Sequence, residues 1–425
     1  MTVETSEPDR NNEWRLETPG AEGWARSARP DADDKFFIAS ADCHVQEPND
    51  FLETRVDPKY HDRLPGIMMI GARDGLKGAK GQMAQKVDGF RDVLRIRDIK
   101  FEGEDNLRNK AGREPEDRIV DLAADGVDAE ILFPNKGLTI WATEDPELSA
   151  AMCRAYNEWA WETFAAYNDR LVPMAAIAPG GLDVAIAEIQ RCADLGFKGL
   201  ALPCKPQWGA PDHNDANYNL KEFDPLWAAI CEVDLPVTFH VSTGRDPRTS
   251  RSRGGAIINY AVHSLSPTME PIINICASGV AEQFPNLRFG TIEAGIGWVA
   301  WALQAMDEAY LKHHMFVRPK LDMLPSEYFR RQGFASFQDD KVGLDLAREH
   351  RLVDNFLWAN DYPHHEGTWP HSPEAIERTM SHLTDAERAR ILGLNCAEIF
   401  KLPIPERYLD QKDTAASAAK IAAES

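Results

Sequence analysis

Short apolar runs alternate with amphipathic stretches along most of the chain. The first run, "FFIASADCH", spans residues 36–44 and ends in polar residues. "EDRIVDLAADGVDAEILFP" then reads as a helix, a glycine stop and a second strand over Ala129–Phe133. "AAMCRAYNEWAWETFAAYNDRL" places apolar residues at helical spacing, and "LVPMAAIAP" is a third strand. The helix "LDVAIAEIQRCADLGF" stops at Gly196 and leads to a fourth strand, "KGLALP". "FDPLWAAICEVD" and "LPVTFHVSTG" give the next helix and a fifth strand. "PTMEPIINICASGVAEQFP" and "NLRFGTIEAG" give another helix and a sixth. "GFASFQ" and "NFLWANDYPHH" are the seventh and eighth strands, and "DAERARILGLNCAEIF" is the closing helix.

Apolar strands alternating with helices predict a parallel sheet covered on both faces. About eight such units over this length predict an α/β fold of the (β/α)8 TIM-barrel type. The first strand lacks a GxGxxG turn, which argues against an open dinucleotide-binding sheet. The pattern lapses in three places. Residues 60–115, rich in Gly, Lys, Arg and Asp, read as a long insertion after strand 1, expected to act as a lid or an oligomer contact. Residues 1–35 read as a polar arm, disordered or wrapped on a partner, and residues 405–425 as a fraying tail. The barrel is therefore expected over residues 36–404.

Composition narrows the function. The chain has 425 residues, 43% of them hydrophobic, and a formal charge of −21. An acidic surface disfavours nucleic acid and anionic membranes as partners. Seven cysteines are scattered without a CxxC pair, so buried thiols in a reducing, cytoplasmic setting are expected. The N-terminus has no signal-peptide pattern, and no apolar run is long enough to span a membrane.

The polar residues at strand ends carry the chemistry. Asp42 and His44 end strand 1, His240 strand 5, Glu293 strand 6 and Asp361 strand 8. In a barrel these ends converge on one mouth. Residues i and i+2 of a strand share a face, so Asp42 and His44 meet one ion while Cys43 points away. Singly, Asp42 reads equally as a cap, His240 as a core histidine, Glu293 as a partner of Arg245 and Asp361 as a turn former. Together they point to one or two divalent ions held by nitrogen and oxygen; zinc is the first expectation, manganese or iron the next. Asp361, Glu293 and His263 are the candidate acid/base residues. Arg245, Trp298 and one of the pair His364/His365, His365 foremost, are candidate substrate contacts. Trp301 is expected in the core.

The set "ADCHVQEP", "PVTFHVSTG", "FPNLRFGTIEAGIGW", "LWANDYPHHEGTWPHS" and "ILGLNCAEIF" resembles the amidohydrolase-related (amidohydrolase 2) family, in its aminocarboxymuconate-semialdehyde decarboxylase-like branch, over residues 36–404. The resemblance implies a metal-dependent TIM barrel with His240 and Asp361 as ligands. Asp42 stands where HxH is usual, and Glu293 where a catalytic His is frequent. Glu47 is a further ligand or supporting candidate. The leading expectation is metal-assisted hydrolysis of a small amide, ester, thioester or lactone, with a substrate carboxylate near Arg245. Three alternatives stand beside it: non-oxidative decarboxylation of an aromatic or unsaturated acid, oxygen activation at iron or manganese, and a non-catalytic subunit. A homo- or hetero-oligomer is expected.

Overall fold

A computed structural model describes residues 10–64, 101–207, 217–243 and 265–411, with Ile258, Ala261 and Val262 besides. Strands β1 (Ala39–His44), β2 (Ala129–Phe133) and β3 (Leu171–Pro173) pair in that order. A second run pairs β4 (Ala175–Ala176), β5 (Leu200–Leu202), β6 (Val237–His240), β7 (Phe289–Ile292), β8 (Gly333–Phe337) and β9 (Phe356–Trp358). Every pair is parallel.

β3 and β4 are two halves of the predicted third strand. Met174 N donates back to Leu132 O (2.9 Å), whereas Ala175 N donates forward to Gly199 O (3.0 Å). The strand thus changes partner at one residue. At the opposite seam, Asp361 N donates to Asp42 O (3.0 Å) and His44 N to Tyr362 O (2.7 Å). Those bonds join the exit of β9 to β1, and the protein is a TIM barrel of eight staves. All strand residues are buried, as a sheet walled by helices requires.

Two local features set up the mouth. Ser40 faces Glu130 and Cys43 faces Leu132, so β1 carries one extra residue at Ala41–Asp42. Such a bulge bends a strand and re-aims its side chains, here beside the first predicted ligand. At the other end of the chain a widened turn over Arg390–Leu394 precedes the helix Asn395–Phe400. A Cβ on Gly393 would lie 2.3 Å from Phe37 O, so only glycine lets this turn press on the entry to β1.

Of the arm expected over residues 1–35, residues 10–35 are described, and they lie against the barrel. Arg29 pairs with Glu374 (2.7 Å) and Glu377 (2.8 Å), Arg15 is buried, and Ala28 lies in the core. Of the tail, residues 405–411 are described; Gln411 is buried and accepts from Phe37 N (3.1 Å). Most of the insertion lies outside the described residues, but its helix Gly103–Lys110 packs beside the mouth, where Arg108 donates to Trp369 O (2.6 Å). Trp301 is 65% exposed rather than core. The helix Gly297–Lys312 buries Val299, Leu303 and Met306, and Trp301 falls on the other side. No helix among the described residues is long and apolar enough to cross a membrane.

A candidate metal centre at the barrel mouth

The four strand ends deliver their polar residues to one point. His44 Nε2 lies 3.6 Å from Asp42 Oδ1, 3.6 Å from Glu293 Oε2 and 3.5 Å from Asp361 Oδ1. His240 Nε2 lies 3.4 Å from Asp42 Oδ1 and 3.3 Å from Glu293 Oε2. Both oxygens of Asp42, both of Asp361, and Nε2 of His44 and of His240 are buried with no hydrogen-bond partner. Leaving so many buried polar atoms unpaired is costly, and a divalent cation relieves that cost. The donor set of three carboxylates and imidazole nitrogens, without thiolate, fits such an ion.

Both imidazoles are held in the orientation that a metal ligand would need. His44 Nδ1 donates to Pro134 O (3.0 Å) and His240 Nδ1 to Val241 O (2.8 Å). Each bond places the proton on Nδ1 and leaves the Nε2 lone pair facing the cluster. Burial, then the neighbouring His364 and His240, holds His44 well below the usual histidine range, so it is neutral at pH 7. The carboxyls respond in the opposite sense. Burial, then Asp42, pushes Asp361 well above the usual carboxylate range. Burial, then Asp361 and Asp42, does the same to Glu293. Glu293 and Asp361 both sit at positive φ, 58° and 51°, a cost that non-glycine residues bear at functional sites. Asp42 and Asp361 side chains are fully buried, whereas that of Glu293 is 14% exposed.

Around the cluster lies a buried polar layer that sequence reasoning missed. The helix Pro115–Asp125 presents Arg118, Asp121 and Asp125 on one face. Arg118 donates to His44 O (2.8 Å) and to Glu130 Oε2 (2.8 Å), and its guanidinium lies over Tyr362. Tyr362 donates to Asp121 (2.5 Å). Asp125 accepts from Ser372 Oγ (2.5 Å) and from Asn360 Nδ2 (3.3 Å). Burial pushes Asp125 up to about 7 despite those bonds. The available signal was charged residues at i, i+3 and i+7 of an otherwise amphipathic helix, on the side that also carries Leu122.

Other candidates fall into place around this centre. Cys43 points away, towards Ser40 Oγ (3.2 Å) and Asn360 Oδ1 (3.1 Å). Glu47 is outside the cluster and accepts from Asn135 N (2.9 Å), steadying the turn whose Pro134 carbonyl holds His44. Trp298 is half-buried, its indole N–H donating to Gly295 O (3.0 Å). His365 turns outward: its ring stacks on Phe101 at 5.1 Å and its side chain is 41% exposed. His364, not His365, is the imidazole at the cluster, with its ring 3.9 Å from that of His44. Arg245 and His263 lie outside the described residues.

Comparison with known proteins agrees with this architecture. The amidohydrolase family model matches residues 41–402. Gamma-resorcylate decarboxylase of Rhizobium sp. (strain MTP-10005) is 23% identical over 306 residues, covering 67% of this chain and 86% of the relative. Among solved structures, 5-carboxyvanillate decarboxylase LigW from Sphingomonas paucimobilis superposes with a TM-score of 0.62 at 21% identity, over 87% of this chain and all of that one. Dihydroxybenzoic acid decarboxylase from Polaromonas sp. JS666, solved with manganese and the inhibitor 2-nitroresorcinol, gives 0.58 at 16% identity, over 88% and 99%. With the barrel, the convergent ligand cluster and a match across most of its length, the chain belongs to the amidohydrolase family.

Proposed function

We propose that the protein catalyses metal-dependent, non-oxidative decarboxylation of an aromatic carboxylic acid. The observation that carries this reading is the cluster of unpartnered buried donors at the mouth of a chain aligned with decarboxylases over most of their length. The same donors would serve a hydrolase, which was the leading expectation from sequence. The relatives and solved neighbours named above are decarboxylases, and they favour the alternative.

Asp42, His44, His240 and Asp361 would hold the ion. When bound, a divalent ion supplies positive charge for a substrate carboxylate and an adjacent oxygen. Carboxylate donors suit a hard ion, and manganese, present in three solved neighbours, is preferred here to zinc. Glu293, the carboxyl of the set that opens to the mouth, carries the proton. The Glu293 carboxyl delivers it to the ring carbon that bears the carboxylate. The bond from that carbon to the carboxylate then breaks, its electron pair returns to the ring and CO2 leaves. Glu293 regains a proton from solvent through its open side. Hydrophobic walls such as Phe133, 5.1 Å from the His240 ring, keep the lower cluster dry.

The test is turnover of a panel of hydroxybenzoates by manganese-loaded protein in D2O. CO2 release with one deuterium placed at the vacated ring carbon is the expected result. Incorporation of labelled water into an amide, ester or lactone product, without CO2 release from any acid, would return the assignment to hydrolysis.

A further inference from the structure

The five residues expected as ligands do not exhaust the donors at the mouth. His364 Nδ1 is buried and has no hydrogen-bond partner. It lies 3.1 Å from Asp361 Oδ1, but not at the angle of a hydrogen bond. His44, Glu293, Asp361 and His364 each offer one donor atom, and these four atoms lie within 4.8 Å of one another. The second set, Asp42, His44, His240 and Glu293, shares two members with it. The His364 ring lies almost parallel to that of His44, at 3.9 Å and 23°.

The loop that carries His364 is built to hold it there. His364 N donates to Asp361 O (2.8 Å), and Thr368 N to Asn360 O (2.9 Å). A Cβ on Gly367 would lie 2.3 Å from Asn360 O, so the loop folds flat against the end of β9. Arg15 then bonds the carbonyls of His365 (2.7 Å) and Gly367 (2.7 Å) from the N-terminal arm. A surface histidine in a turn needs none of this support.

We infer that His364 is a third imidazole ligand of the metal, bound through Nδ1 beside His44 and Asp361. The inference rests on the reading that the cluster holds a divalent ion. It adds a residue to the site, and a third nitrogen to the two that His44 and His240 would supply.

Pulsed electron paramagnetic resonance of bound Mn2+ counts the coupled imidazole nitrogens, and calorimetry gives the Mn2+ affinity. Three imidazoles are expected in the unaltered protein, and two in both His364→Ala and His364→Asn. Mn2+ binding should weaken about 10-fold or more in both variants. His365→Ala should still show three. Unchanged circular dichroism would establish that the variants are folded; if Ala disturbs the fold, the Asn variant and the count in the unaltered protein still decide. Two imidazoles in the unaltered protein, contributed by His44 and His240, would overturn the inference and leave the decarboxylase reading standing. Absence of any Mn2+ binding would overturn both.

Discussion

The two sides of the barrel mouth are built differently. On the seam between β1 and β9 the ligands hang from a continuous buried network. Ser40 Oγ and Asn360 bond twice (2.9 Å each), Asp361 N bonds Asp42 O, and Arg118 grips the His44 carbonyl from behind. Across the mouth, at the ends of β6 and β7, fewer supporting bonds are present among the described residues. His240 has its Nδ1 bond and a hydroxyl on its carbonyl from Thr243 (2.6 Å); Glu293 has its backbone N–H on Ser336 Oγ (3.0 Å). The contrast separates two tasks. On the proposed reading, the seam would fix where an ion sits, and the opposite side would present Glu293 to substrate.

The largest test of that division is Glu293→Gln. Loss of a positioned acid lowers turnover by about 10²–10⁴. Thermal stability should hold or rise, because an ionisable group is removed from a buried site. A large fall in melting temperature would place Glu293 with the scaffold instead. Arg118→Ala is the reverse experiment. It leaves Glu130 charged and unpaired in the interior, at a cost of about 3–5 kcal/mol, read from urea unfolding. Full stability in that variant would break the comparison on the seam side.

Asp125 gives the seam a pH signature. Its folded-state pKa, about 7, is raised above the usual carboxylate value. Its contribution to stability is therefore fully present below about pH 4 and is lost as pH rises through about 7. The slope approaches about 1.4 kcal/mol per pH unit between those limits. Asp125→Asn should remove that slope from unfolding free energies measured over the range. The smallest effect expected is that of Arg15→Ala, which releases the His364 loop without touching the barrel. Turnover or Mn2+ affinity should fall about 10-fold with the melting temperature little changed, and Arg15→Lys should recover part of it. An equal loss in both variants would mean that the fork geometry of the guanidinium is essential.

The candidate ligands stood out in the sequence because they break a strong pattern. An apolar strand that ends in Asp-Cys-His, or in Asn-Asp, is unusual, and four such endings at equivalent positions name a site. The barrel was legible for the related reason that strand and helix periods alternate cleanly. The supporting layer was not. Arg118, Asp121 and Asp125 belong to a helix whose polar face reads as solvent-facing, yet they are buried or nearly so beneath the β9 loop. Arg15 sits in a segment of low hydrophobicity, and its partners are main-chain carbonyls some 350 positions away, which no side-chain pattern encodes. Trp301 was misplaced because "GWVAWALQAM" is apolar all round, so periodicity does not choose its outer face. The choice between His364 and His365 depends on the path of a loop and lay beyond any repeat.

The seam has a consequence for how the protein is made. His44 and Asp361 lie 317 positions apart, on the first and last staves of the barrel. While the ribosome is still adding the later strands, the emerging chain already displays Asp42, His44 and His240, but it has no stave to close against β1. Contacts of such long sequence separation form late and slowly. On the proposed reading, an ion captured early would lack Asp361, the ligand that β9 brings to the seam. Until β9 arrives, the exposed edge of β1 is a surface for chaperones to shield.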